Sequence, residues 1–150
     1  MENDREAQLS GSENGLTAEI QAVFAIFELQ AKLQEHADQI VTDPVLLPNE
    51  TLLLINMTGP HRMGEVANLL HCLPSSATAV VDGLEQKQLV CRRPDPQDRR
   101  ATLLHLTEGG VQIRAQILAG LGQAFRLSSG LDAEGAKALL GVLNRSGGED

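Results

Sequence analysis

The chain has 150 residues, enough for one domain with a proper core, and an ordinary globular composition. It contains no Trp, no Tyr and three Phe, so it offers few rings on which single-stranded nucleic acid could stack. The net charge of −8 also argues against general affinity for polyanions, which comes from cations that displace counterions.

Residues 1–15 are polar and acidic, with no apolar stretch of the kind a signal peptide or membrane anchor needs. No later run approaches about eighteen continuous apolar residues, so a cytoplasmic protein without membrane contact is expected. From Thr17 to about Val41, Ile20, Val23, Phe24, Phe27 and Ala31 recur at helical spacing. Thr17 is placed to cap this helix and Asp43-Pro44 to close it. A second helix is expected from Asn49, a capping residue after Pro48, to Asn56, before Thr58-Gly59-Pro60 breaks it. Its dense block Leu52 to Ile55 reads as core rather than as a site.

Val66, Ala67 and Leu70 form a short helical stripe, and Ala77, Val80, Val81 and Leu84 a longer one, with Pro74 suited to its first turn. Only His71 to Leu73 separate the two, which suggests helix-turn-helix. His71 stands in the tight turn, and histidine tolerates left-handed backbone better than most residues. Leu89 to Cys91 and Ala101 to Leu106 read as two strands, with Leu104 and Leu106 on one face and Leu103 and His105 on the other. The link between them holds two prolines and is flanked by Arg92, Arg93, Arg99 and Arg100. Guanidinium groups in a stiff loop suit phosphate oxygens and the negative potential of a narrow minor groove. An ordinary solvated hairpin is the alternative for any isolated arginine pair, and placement directly after a helix-turn-helix favours the first reading.

Thr107 is placed to cap a helix carrying Val111, Ile113, Ile117, Leu118, Leu121 and Phe125 to about Leu127, although Gly120 and Gly122 lie within it. Asp132 caps a last helix with Ala136, Leu139, Leu140 and Leu143.

The run from Leu69 to Gly110, with its Asp98-Arg99-Arg100 turn followed by LLHLTEGG, resembles the MarR family of winged helix-turn-helix transcription regulators. The resemblance implies a mainly α fold with a small β-hairpin wing and N- and C-terminal dimerisation helices. It divides the chain into a reading unit at 57–106, dimerisation helices at 16–42 and 107–145, and a polar tail at 1–15, all within one domain over 1–150. It further implies a homodimer on double-stranded DNA, with each recognition helix in a major groove and each wing in the adjacent minor groove. By the same similarity Arg100 is the wing-tip arginine and Asp98 its orienting partner, and a small apolar or phenolic effector binds between the dimerisation helices and the reading head. Two positions where the family often has arginine hold Ala79 and Gly83, and its usual polar helix cap is Leu73. Readout of guanine by a bidentate arginine is therefore not expected from this helix, and affinity shifts to the wing and Arg62.

The expected DNA contacts are Arg62, Ser75, Ser76, Thr78, Arg99 and Arg100, with Asp98 setting the wing geometry. For Ser75 and Ser76 a capping role is the equal alternative, since serine is a leading N-cap residue. Residues 57–106 carry six basic side chains (Arg62, Lys87, Arg92, Arg93, Arg99, Arg100) against five acidic ones (Glu65, Asp82, Glu85, Asp95, Asp98). An acidic body with a near-neutral reading head predicts weak general DNA affinity and dependence on specific contacts. The four histidines and two cysteines show no ligand spacing, and Cys91, beside Arg92 and Arg93, is the better placed cysteine for thiolate chemistry. The sequence has no nucleophile elbow, zinc-protease helix, phosphate loop or C-x-x-C, so neither an enzyme nor a cofactor is expected. The alternative function is a winged-helix interaction module, or antagonist of a related regulator, with little DNA binding.

Overall fold

A computed structural model describes residues 16–98 and 100–146, so the polar tail 1–15 and the candidate Arg99 lie outside the described residues. The order is α1 (Ala18–Ala37), α2 (Pro48–Asn56), β1 (His61–Arg62), α3 (Met63–Leu69), α4 (Pro74–Gln86), β2 (Val90–Pro94), β3 (Thr102–Leu106), α5 (Glu108–Ser129) and α6 (Ala133–Ser146). The fold is mainly α with a small antiparallel sheet, as expected. The sheet has a third strand that the sequence reading did not foresee: β1 pairs His61 with Leu104 and Arg62 with Leu103, giving the order β1-β3-β2. Two residues are too few to show a period of two, and only β3 gives them partners.

The described residues divide into two compact units, one within 37–124 and one made of 16–36 with 125–146. In the first, the helix-turn-helix stripes converge on one core. Leu53 and Leu54 of α2, Val66 of α3, Ala77, Val81 and Leu84 of α4, Leu104 of β3 and Ile117 of α5 are almost wholly buried. The turn between α3 and α4 depends on His71, whose φ of 47° is the left-handed conformation expected there. Helix α4 ends in the same way at Gln88, with a φ of 59°, and its last carbonyls are closed by Gln88 N–H to Glu85 at 2.9 Å and Leu89 N–H to Leu84 at 3.0 Å.

Two helix boundaries differ from the sequence reading. Helix α1 stops at Ala37, six residues before Asp43, because the next segment is captured: Ile40 lies over Gly120, and Gln116 Nε2 donates to the Val41 carbonyl at 2.9 Å. Helix α2 begins at Pro48 with Leu47 as N-cap, so Asn49 does not cap it. Glu50 reaches back instead and accepts the Leu47 N–H at 2.7 Å, the half of a capping box that needs no oxygen on the cap residue. Helix α5 is one uninterrupted helix despite its glycines. Gly110 in its first turn is required by close approach, since a Cβ there would stand 1.9 Å from the Leu89 carbonyl oxygen.

The terminal unit is different in kind. Helix α1 buries none of its residues, and Ile20, Val23, Phe24, Ile26 and Phe27 are all exposed. Leu140, Val142 and Leu143 of α6 are exposed as well. Thr107 and Asp132 cap as expected: their side-chain oxygens accept the N–H groups of Gly110 at 3.0 Å and Gly135 at 2.9 Å.

Candidate nucleic-acid interface

Helix α4 starts with Pro74 at its first helical position, and Leu73 before it has no oxygen with which to cap the free N–H groups. Ser75 and Ser76 therefore lie within the first turn, and neither is the N-cap. Both are exposed, so their hydroxyls and the helix N–H groups beside them are open to an anion such as phosphate. Thr78 is exposed too, but its hydroxyl donates to the Pro74 carbonyl at 3.0 Å, which leaves its oxygen as acceptor.

The two α4 positions at which the resemblance led to an expectation of arginine differ in meaning. Ala79 is on the exposed surface of α4. Gly83 faces α2, where a Cβ would lie 2.5 Å from Oε1 of Glu50. Glu50 is 2% exposed and takes Lys87 Nζ at 2.6 Å. An ion pair therefore occupies the space that a side chain at position 83 would need, and it holds the one basic residue at the end of α4.

The wing loop, residues 95–101, is built on two aspartates. Asp95 is 6% exposed; its Oδ1 accepts the Gln97 N–H at 2.8 Å and its Oδ2 accepts Arg62 Nη2 at 2.6 Å. Its own N–H donates to the Ala101 carbonyl at 3.0 Å and closes the loop. The Gln97 N–H, with the Arg62 guanidinium second, holds the Asp95 carboxyl below its ordinary pKa. Asp98 Oδ1 accepts the Arg100 N–H at 3.1 Å, so it acts on the backbone of Arg100. Asp95 was missed in the sequence, although Asp-Pro-Gln is a visible turn signal; what it does for Arg62 depends on a contact 33 residues away.

Most basic groups of the unit are engaged internally. Arg62 is held by Asp95, Lys87 by Glu50, and Arg92 by Asp82 at 2.7 Å and by Glu85. Arg93 and Arg100 are exposed and meet no carboxylate among the described residues. Among the described residues of 57–106, the positive charge that meets no carboxylate thus lies on the wing, while the start of α4 presents hydroxyls. No helix among the described residues is long and apolar enough to cross a membrane.

The sequence profile described as MarR family matches residues 50–102, which run from within α2 to the first residue of β3 and include the wing loop. The transcriptional regulator MhqR of Bacillus subtilis is 32% identical over 81 residues, 53% of this chain and 56% of MhqR. Matches to curated relatives span between 53% and 63% of their lengths. The crystal structure of YusO from Bacillus subtilis is similar at 27% identity with a TM-score of 0.61, over 93% of this chain and 99% of YusO. A cysteine-to-serine variant of E. coli MarR, solved with operator DNA, has the same fold at 23% identity and a TM-score of 0.60, over 81% of this chain and 89% of that one.

Proposed function

We propose that the chain, whose residues 50–102 match the MarR family profile, is a MarR-family transcriptional regulator that binds duplex DNA as a homodimer on a pseudo-palindromic site. The observation that carries the reading is the concentration of unpaired arginine on the wing next to an uncapped recognition helix. Ser75, Ser76 and Thr78 meet phosphates or base edges in the major groove. Arg100, with Arg99, enters the minor groove, and Arg62 sits at the root of the wing, where Asp95 fixes its direction. Hydroxyls discriminate bases modestly, so much of the specificity comes from DNA shape.

The homodimer follows from α1. A 20-residue helix gains most of its stability from packing, and this one exposes two phenylalanines and three β-branched residues. A second copy supplies the missing cover, and half-sites then stand roughly one helical turn, about 34 Å, apart. A small-molecule effector that prefers one spacing of the two reading heads would couple its binding to that of DNA.

Selection from random duplex DNA by the purified protein, at low and at moderate salt, tests the proposal. Recovery of an inverted repeat is the expected outcome. A folded dimer that enriches no sequence at either salt would overturn it and favour the interaction module, which the net charge of −8 and the engaged Arg62, Lys87 and Arg92 would then explain.

A further inference from the structure

The leading half of α4 is uncharged. From Leu73 to Val81 no side chain carries a charge, and Asp82, the first that does, is engaged by Arg92. Leu73 is the unusual member. It stands at the N-cap with φ −67° and ψ 150°, makes no side-chain capping bond, and is 71% exposed. Leucine is among the poorest caps, so helix stability does not account for it, and at that exposure neither does the core. Its place is nevertheless fixed. The Ala77 N–H donates to the Leu73 carbonyl at 3.0 Å, and the turn before it is closed by the Cys72 N–H, which donates to the Ala67 carbonyl at 3.1 Å. A single exposed leucine is ordinary on a protein surface, but this one is held at the leading end of the helix beside the exposed Ser75 and Ser76.

We propose that Leu73 reads thymine: its side chain packs on the 5-methyl group of a thymine in the major groove and makes one T·A pair in each half-site a determinant of binding, a role that rests on the duplex-DNA reading above. The N-terminal residues of a helix lying in the major groove are the ones that meet base edges. Thymine alone presents a methyl group there, and an apolar side chain is its partner. Leucine offers no hydrogen bond, so the amino group of cytosine or the acceptors of guanine in that place lose water and gain nothing. The serine hydroxyls beside it donate or accept and discriminate little, so this contact adds base specificity to readout by shape.

Uracil differs from thymine only by that methyl group, so the contact can be removed from the DNA side. The inverted repeat recovered by selection is synthesised with each thymine replaced singly by uracil, and Kd is measured for the full chain and for Leu73→Ser. At one thymine per half-site, uracil should weaken binding of the parent chain by about fourfold, the worth of one buried methyl group. In Leu73→Ser, which supplies the missing cap and so keeps the helix, thymine and uracil should bind equally at that position. Leu73→Met should restore a preference for thymine. An effect of the methyl group on DNA stiffness would persist in the serine variant, whereas a contact with Leu73 would not. The salt slope should be the same for all three chains, because no charge changes. A recovered repeat in which no thymine is sensitive, or in which the sensitivity survives in Leu73→Ser, overturns the proposal and leaves the DNA-binding reading standing. Failure to recover any site overturns both.

Discussion

Replacing Gly83 by alanine sets two effects of opposite sign against each other. In an exposed helix interior the change stabilises by about 1 kcal/mol, because alanine loses less backbone freedom on folding. Here the new Cβ would lie 2.5 Å from Oε1 of Glu50, the oxygen that Lys87 holds at 2.6 Å. The carboxylate must move, and at 2% exposure it has no water to move into. Breaking a buried ion pair costs about 3 to 5 kcal/mol, and the lower end applies because the Lys87 side chain is 25% exposed. The net expectation for Gly83→Ala is a loss of about 2 kcal/mol, or a fall of about 1 M in the urea midpoint at an m-value of about 2 kcal/mol/M. In a Glu50→Ala background the obstacle is gone, and the same substitution should stabilise by about 1 kcal/mol. Equal or greater stability of Gly83→Ala in the parent protein would refute the argument, since it would mean that Glu50 yields freely.

Arg100→Ala should weaken binding to every duplex and lower the salt slope by about one unit, as loss of one phosphate contact requires; an unchanged slope removes Arg100 from the interface. The Asp95 carboxyl has a folded-state pKa below its unfolded value of about 3.9, so its stabilisation is present above that pH and is lost as pH falls through the lower folded value. The Gln97 amide resonance should therefore titrate with a midpoint below about 3.9, and Asp95→Asn should abolish the titration; a midpoint at or above that value contradicts the loop geometry. Phe24→Asp with Phe27→Asp should give a monomer by sedimentation, because four buried rings per dimer are worth at least about 6 kcal/mol, roughly ten-thousandfold in affinity. Persistence of the dimer would place its interface elsewhere.

Features set by neighbours along the chain were legible in the sequence. The stripes Val66-Ala67-Leu70 and Ala77-Val81-Leu84 are the buried faces of α3 and α4 because a period of 3.6 puts those residues on one side whatever they pack against. His71 at positive φ, Pro74 at the first helical position, and the caps at Thr107 and Asp132 are likewise properties of residue type and local backbone. The features that the tertiary structure decided all involve partners distant in sequence. Helix α1 ends at Ala37 because α5 holds the segment after it, and β1 is a strand because β3 pairs with it. Asp95 shapes the wing through Arg62, and Gly83 is glycine because Glu50 and Lys87, 37 residues apart, meet beside it. The same is true of charge. The sequence counts six cations in 57–106, but only folding decides which face a carboxylate, and Coulomb attraction in a half-buried setting leaves the wing arginines Arg93 and Arg100 open while engaging Arg62, Lys87 and Arg92.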